Sequence, residues 1–183
     1  MRSVIGMVLL LALAPCALGQ AKEERRFGLI FNPELYPQDT PQTALGSLLR
    51  VIDKGRYDYA IAFLFEKNYV RGQMQITAPK FEAAARRQVE REGQENRRLG
   101  PEYVRDRIQE LVEQASFDDL AQRVKTKFAD DPEALKDLRR LYREGELADA
   151  GETASLKHPE IKDRTLFFRN VNGRWYVENK MQE

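Results

Sequence analysis

His158 is the only histidine in the 183-residue chain and the first candidate for a general base. Imidazole titrates nearest to neutral pH, which suits it to proton transfer. A catalytic histidine also needs a carboxylate that orients it and a nucleophile within reach, and no serine or cysteine here stands in a nucleophile motif. His158 precedes Pro159 at the end of a predicted strand, so we interpret it as a surface histidine in a loop.

Two pairs of neighbouring carboxylates, Asp118-Asp119 and Asp130-Asp131, have the chemistry to bind a cation or share a proton. Neither pair has the alternating acidic spacing of a calcium loop. Both stand just before predicted helical runs, where an acidic side chain opposes the positive end of the helix dipole. We therefore interpret both pairs as helix caps.

The most basic stretch of the chain interleaves arginines with acidic residues. The arginines are Arg86, Arg87, Arg91, Arg97, Arg98, Arg105 and Arg107, and the acids are Glu82, Glu90, Glu92, Glu95, Glu102 and Asp106. Several of these charges stand four residues apart, as Glu82 and Arg86 do, and would pair on one helix face. This pattern indicates a solvated, ion-paired helix surface and not a nucleic-acid interface.

The composition excludes several classes of protein and of site. With 30 basic and 29 acidic residues the net charge is +1, which gives no electrostatic case for a nucleic-acid binder. One cysteine and one histidine exclude a disulfide framework and a metal site built from several such ligands. The sequence also has no P-loop, no glycine-rich dinucleotide loop and no Gly-x-Ser-x-Gly elbow. We predict neither a cofactor nor a metal.

Aromatic side chains concentrate in two places, and most of them are expected in the core. The alternative is a cavity between helices and sheet that holds a small apolar ligand. The candidate pocket residues are Tyr57, Tyr59, Phe63, His158, Trp175 and Tyr176, and Phe65 belongs to the first concentration.

Residues 1–19 predict a secretory signal peptide. Arg2 supplies the positive start, an apolar run from Val4 to Ala14 follows, and the small residues Ala17 and Gly19 precede the cleavage point. The mature protein is then expected in the periplasm or outside the cell. Cleavage after Gly19 removes the only cysteine, which suits an oxidising compartment.

Two alternatives to cleavage stay open. The uncharged stretch from Ser3 to Ala21 approaches the roughly 20 residues that span a bilayer, so an uncleaved anchor is one. The other is a lipid anchor through Cys16, although Pro15 stands where a lipoprotein signal has a small residue. After cleavage no stable membrane span is predicted.

Residues 20–39 predict an extended arm, because Pro33 and Pro37 disfavour helix. Phe27, Leu29 and Phe31 are expected to pack on the body of the protein. A poorly ordered tail is the alternative.

A helical hairpin is predicted next. Thr40 is a favourable N-cap, Pro41 suits the first helical position, and Gly55 ends the helix. A second helix from Tyr57 to Glu66 is apolar almost all round, which is typical of a helix buried on several sides.

The stretch from Pro79 to Gly145 is strongly charged and helical, with Pro79, Pro101 and Pro132 each at a predicted helix start. The segment from Pro79 to Glu92 has only a narrow apolar seam of Phe81, Ala85 and Val89. It is therefore expected to be largely exposed.

Beyond Gly151 the pattern changes to strands. Runs from Thr165 to Val171 and from Arg174 to Asn179 flank Asn172-Gly173, a strong hairpin signal. A third strand is predicted from Thr153 to His158. The fold class is α+β: an N-terminal helical hairpin and further charged helices packed on a small C-terminal antiparallel sheet. Residues 40–183 form one domain, with a helical insertion at 79–145.

Two stretches carry a resemblance to a known family. The helix opened by Thr40-Pro41 and followed by Gly55-Arg56-Tyr57, and the closing Gly173-Arg174-Trp175-Tyr176-Val177, resemble the two ends of nuclear-transport-factor-two-like domains of secreted bacterial proteins. The resemblance implies a cone of helices against a curved antiparallel sheet. Family members that are isomerases or dehydratases use a Tyr/Asp or Asp/His pair, and no position here matches one. The helical insertion also departs from the family.

These observations predict an exported, non-enzymatic domain that acts by binding or assembly. Its partner would be an unidentified protein or a small apolar ligand, with a homodimer as one form of assembly. The alternative is a small-molecule enzyme or apolar-ligand carrier with a pocket between helices and sheet. Such a pocket should hold a buried titratable group with a shifted pKa.

Overall fold

The computed structural model describes residues 24–95, 100–149, 151–161 and 164–178. The predicted signal peptide, its cleavage point and Cys16 lie outside these residues. The helices are α1 (Pro41–Asp53), α2 (Tyr57–Tyr59) continued by the π-helix Ala60–Leu64, α3 (Lys67–Glu95), α4 (Pro101–Asp130) and α5 (Pro132–Glu144). The strands are β1 (Arg25–Arg26), β2 (Leu29–Ile30), β3 (Glu146–Asp149), β4 (Thr153–Lys157), β5 (Leu166–Val171) and β6 (Arg174–Glu178).

The fold is α+β, as predicted. Strands β1 and β2 form a small hairpin, and the main sheet has the order β3-β4-β5-β6 with every neighbouring pair antiparallel. The core lies where this sheet meets α1, the π-helix and the bases of α3 and α4. Within the described residues no helix is both long and apolar enough to cross a bilayer.

The N-terminal helical hairpin forms as predicted, with a difference at its end. Thr40 and Thr43 make a reciprocal capping box in front of α1, and Gly55 takes a φ of +67° just after it. The predicted second helix, however, stops at Leu64. Phe65 and Glu66 are extended because they cover the outer edge of β6, where the N–H of Glu66 donates to the carbonyl of Val177 at 3.0 Å.

The prediction that Pro79 begins a helix is wrong, because α3 starts at Lys67 and runs through Pro79. Proline removes the hydrogen bond to the carbonyl four residues earlier. Just before Pro79, the hydroxyl of Thr77 donates to the carbonyls of Gln73 and Met74, a bond that often accompanies a bend in a helix. Burial of Val70 and Met74 in the core stabilises this part of the helix despite its poor helix formers.

The two carboxylate pairs have different roles. Asp131 caps α5 as predicted, since its side chain accepts from the N–H of Ala134 at 3.0 Å. Asp118 and Asp119 were expected before a helix, and that is wrong: they lie in the middle of α4. There Asp119 pairs with Arg123, one turn later, at 2.9 Å.

Helices α3 and α4 lie side by side and extend beyond the core. Near the sheet, Met74 and Phe117 belong to the central core, whereas Ala85 and Val89 are buried without joining it. The far half of the pair is thus a two-helix arm whose seam is the one predicted from the sequence. At that end the guanidinium of Arg107 lies 3.4 Å from the carboxylate of Glu92.

The predicted C-terminal strands form, and the main sheet has a further strand, β3, that was not predicted. Asn172 and Gly173 take φ values of +53° and +80°, the geometry that a two-residue hairpin turn requires. Strand β4 forms within the predicted third strand. Strand β3 was missed because its sequence Glu-Leu-Ala-Asp lacks the β-branched and aromatic residues that mark strands.

Candidate binding cleft

Five of the candidate pocket residues are buried or half-buried, and four of them belong to the core packing. Tyr59, Phe63, Trp175 and Tyr176 are 5% exposed or less, and Tyr57 is half-buried with its ring 6.3 Å from that of Phe128. Burial raises the pKa of both Tyr59 and Tyr176 above the ordinary value of a phenol. The structure places Tyr57, Tyr59, Phe63 and Trp175 in or against the core, whereas Tyr176 is buried outside it near Glu24 and Arg26. None of the five lines the cleft described below.

His158 lies in the loop after β4, as predicted, but its side chain is only 8% exposed. The expectation of a surface side chain is therefore wrong. Its Nε2 lies 3.4 Å from the carboxylate of Glu144, and its Nδ1 accepts from the N–H of Glu160 at 3.2 Å. Arg140 contacts the carboxylates of both Glu144 and Glu160. His158 therefore links the end of α5 to the loop that follows β4.

A cleft of about 790 Å³ lies between the β1–β2 hairpin, the first turns of α3 and the middle of α4. This volume is within the range of small-molecule sites. Its lining divides into three groups by chemistry. The charged group is Glu24, Arg25, Arg26, Lys67, Arg71 and Glu113; the apolar group is Phe27, Val70, Met74, Ala78 and Val112; the uncharged polar group is Gln75, Gln109 and Ser116.

The hairpin that closes one end of the cleft is attached through an aromatic stack. Phe27 and Gly28 form its turn with φ values of +50° and +75°. A bulky residue in this left-handed region is strained by roughly 1–3 kcal/mol. The ring of Phe27 lies flat against that of Phe117 in α4, with centroids 4.2 Å apart and planes at 15°. Leu29 and Phe31 also pack on the core, which confirms the packed arm.

Glu24 is the centre of a charge cluster at the hairpin end of the cleft. Its carboxylate accepts from Arg174 at 2.6 Å and lies 3.7 Å from the ammonium of Lys67. Burial alone would raise the pKa of Glu24, but the hydrogen bond from Arg174 and the charges of Arg174, Lys67 and Arg26 outweigh it and lower the pKa. The guanidinium of Arg174 also lies over the ring of Phe31, 4.3 Å from its centroid.

Arg26 lines the same end of the cleft and adds another positive charge near Glu24. Its guanidinium donates to the carbonyl of Ala62 in the π-helix. Burial lowers the pKa of Arg26, while the nearby carboxylate of Glu24 acts in the opposite direction. Arg26, Lys67 and Arg174 thus surround the carboxylate of Glu24, and Arg71 adds a further positive charge near Arg26, so this end of the cleft is positive.

Two lining residues keep unused hydrogen-bonding capacity. Arg71 is exposed and makes no ion pair with the part of the chain that the structure describes. Ser116 is 1% exposed, and its hydroxyl finds no hydrogen-bond partner among the same residues. Buried polar groups are almost always satisfied, so this hydroxyl is an exception in the wall of the cleft.

The described residues contain no group of three or more His, Cys, Asp or Glu side chains placed to hold a metal ion. No family model, no curated protein and no solved structure matches the chain. The site must therefore be interpreted from its own chemistry.

Proposed function

We propose that this chain is an exported, non-enzymatic binding protein that takes a small ligand in the cleft between the β1–β2 hairpin and helices α3 and α4. The observation that carries the proposal is the cleft itself: about 790 Å³, with a charged end and an apolar floor. Export rests on the signal-peptide pattern of residues 1–19. The resemblance to nuclear-transport-factor-two-like domains belongs to the same proposal, and the helices packed on an antiparallel sheet support it.

A binding role is favoured over catalysis by the groups around the cleft. They are cations, amides, one hydroxyl and two carboxylates, Glu24 and Glu113. Glu24 is engaged by Arg174 and held ionised, which makes it a poor general acid. The single histidine lies elsewhere, between α5 and the loop after β4.

Native mass spectrometry of protein recovered from the extracytoplasmic fraction of its host tests the proposal. Ala78 lines the cleft and is half-buried, so Ala78→Trp should fill it, whereas Ala84 on the same helix is exposed and outside it. We expect a small-molecule adduct on the wild type and on Ala84→Trp, and none on Ala78→Trp. An adduct that persists on Ala78→Trp would contradict a site in this cleft.

The same mass spectrum tests export. Recovery of residues 20–183 would confirm export with cleavage after Gly19, whereas lipid on Cys16 would show that the protein is held by a lipid anchor.

Assembly is a second candidate function, and the two-helix arm favours it. Along the far half of α4, Val104, Ile108 and Leu111 stand on one face of the helix and are only half-buried. The two-helix arm of a second copy, packed against this face of α4, would complete the burial of these three side chains. Sedimentation velocity tests this, since a dimer that Ile108→Glu converts to a monomer would place the interface there.

A further inference from the structure

We propose that the ligand of the cleft is a small anionic amphiphile, a molecule with a carboxylate, phosphate or sulfate head and an aliphatic tail. This inference rests on the proposed binding function and adds the chemistry of the ligand. The relevant feature is the separation of the lining into a cationic end and an apolar floor within one cleft.

The head group would bind at Lys67 and Arg71, which stand one turn apart on α3 and line the same end of the cleft. Arg71 has no ion pair among the described residues, and its guanidinium offers a planar fork of donors. Lys67 makes only a long contact of 3.7 Å with Glu24, whose carboxylate is held more closely by Arg174 at 2.6 Å. Both cations thus retain capacity for an anion.

Two further cations, Arg26 and Arg174, add positive charge but are already engaged by other groups of the protein. Arg26 is committed to the carbonyl of Ala62, and Arg174 is committed to Glu24 and to the ring of Phe31. Their charges nevertheless lie close to the same end of the cleft and are partly shielded from water. Electrostatic attraction to an anion is stronger in such a setting than on an open surface.

The tail would lie along the apolar residues of the two helices. Val70, Met74 and Ala78 follow each other at one-turn intervals on α3, and Val112 of α4 lines the same cleft. The eleven-residue separation of Lys67 and Ala78 corresponds to about 16 Å of helix, enough for a medium-length alkyl chain. The apolar floor therefore continues directly from the cationic end.

The shape of the site favours a single molecule over an anionic membrane surface. Proteins that lie on membranes present an exposed apolar helix face flanked by basic residues. Here Val70 and Met74 are buried on the floor, and the rim includes the carboxylate of Glu113 and the amides of Gln75 and Gln109. A membrane surface would meet that carboxylate before it reached the apolar residues.

Isothermal titration calorimetry of the full chain with decanoate, decyltrimethylammonium and 1-decanol tests the proposal. We expect decanoate to bind, with an affinity that falls as salt is raised, and decyltrimethylammonium to bind at least about tenfold more weakly. Arg71→Gln should weaken decanoate about tenfold, the effect of one lost charge-assisted hydrogen bond, and leave 1-decanol unchanged. Arg87→Gln is the matched control, because Arg87 is exposed on the same helix and does not line the cleft.

The outcomes separate the ligand class from the binding function itself. Equal affinity for the three decyl compounds, lost in Ala78→Trp, would overturn the anionic head group while leaving a binding cleft. No binding of any compound in calorimetry, together with no adduct on host-derived protein, would contradict the binding function. Co-sedimentation with phosphatidylglycerol vesicles without affinity for decanoate would overturn the proposal in favour of a membrane surface.

Discussion

The guanidinium of Arg26 donates to the carbonyl oxygen of Ala62, 36 residues further along the chain. Ala62 lies in the last turn of the π-helix, where carbonyls lack donors from the helix itself. The neighbouring carbonyl of Phe63 accepts from the side-chain amide of Gln38, at 2.9 Å. Two side chains of the N-terminal segment thus satisfy the end of the buried helix and attach the hairpin that closes the cleft.

Arg26→Gln should reduce the free energy of unfolding by about 1–3 kcal/mol, because a part-buried carbonyl loses its donor. Urea unfolding followed by circular dichroism measures this. Arg87→Gln, on the exposed face of α3, should change the same quantity by less than about 0.5 kcal/mol. Equal values for the two variants would argue against the bond to Ala62.

Phe27 should respond differently to asparagine and to valine. Asparagine tolerates a positive φ, so relief of strain in Phe27→Asn should partly offset the loss of the stack on Phe117. Valine loses the stack and is β-branched, so Phe27→Val should be the less stable variant by at least about 1 kcal/mol. Differential scanning calorimetry of the pair checks the order of their melting temperatures. The reverse order would refute the left-handed turn.

His158→Ala should cost about 1–2 kcal/mol of unfolding free energy, more than a surface substitution does, because its side chain is buried beside Glu144. Lys157→Ala is the control, since Lys157 is adjacent and exposed. Thermal unfolding of both variants measures the difference. A loss below about 0.5 kcal/mol for His158→Ala would restore the interpretation as a surface histidine.

Trp175→Ala should cost about 3–5 kcal/mol, because the indole of this β6 residue is only 5% exposed in the core. Its backbone is also bonded to the arm, with the N–H donating to the carbonyl of Gln38 at 2.9 Å. Equilibrium unfolding in guanidinium chloride provides the value. An unchanged midpoint would contradict the packing of β6 on the helices.

Glu24 should make stability depend on pH on the acid side. Its pKa is lowered in the folded protein from the ordinary value of 4.5, so the carboxylate stabilises the fold above that value. This contribution is lost as the pH falls from about 4.5 through the folded pKa. The difference in unfolding free energy between the wild type and Glu24→Gln should therefore shrink over this interval. A difference that grows on acidification would show a raised pKa instead.

Local patterns in the sequence predicted much of the fold. The capping residues Thr40 and Asp131 and the turn Asn172-Gly173 act through contacts within a few residues, so the sequence alone reveals them. Pro79 misled the prediction because the turns before it are stabilised by core contacts of Val70 and Met74. A helix start assigned by local signals cannot include such tertiary contacts.

The candidate cleft was not predictable from the sequence in the same way. Glu24 and Arg174 are 150 residues apart, and their contact depends on the complete fold. The spacing of Lys67 and Arg71 becomes a signal only once both lie on one helix, and the local pattern places the helix start at Pro79. Of the aromatic residues expected in the core, Tyr59, Phe63 and Trp175 are there, and none of these lines the cleft.

Methyl NMR of the full chain titrated with decanoate tests the location of the site most directly. We predict that the methyl signals of Val70, Met74 and Val112 shift with added ligand, while those of Leu156 and Val177 in the sheet stay in place. Shifts confined to the sheet and to the neighbours of Tyr59 and Phe63 would contradict the account and place the ligand between helices and sheet.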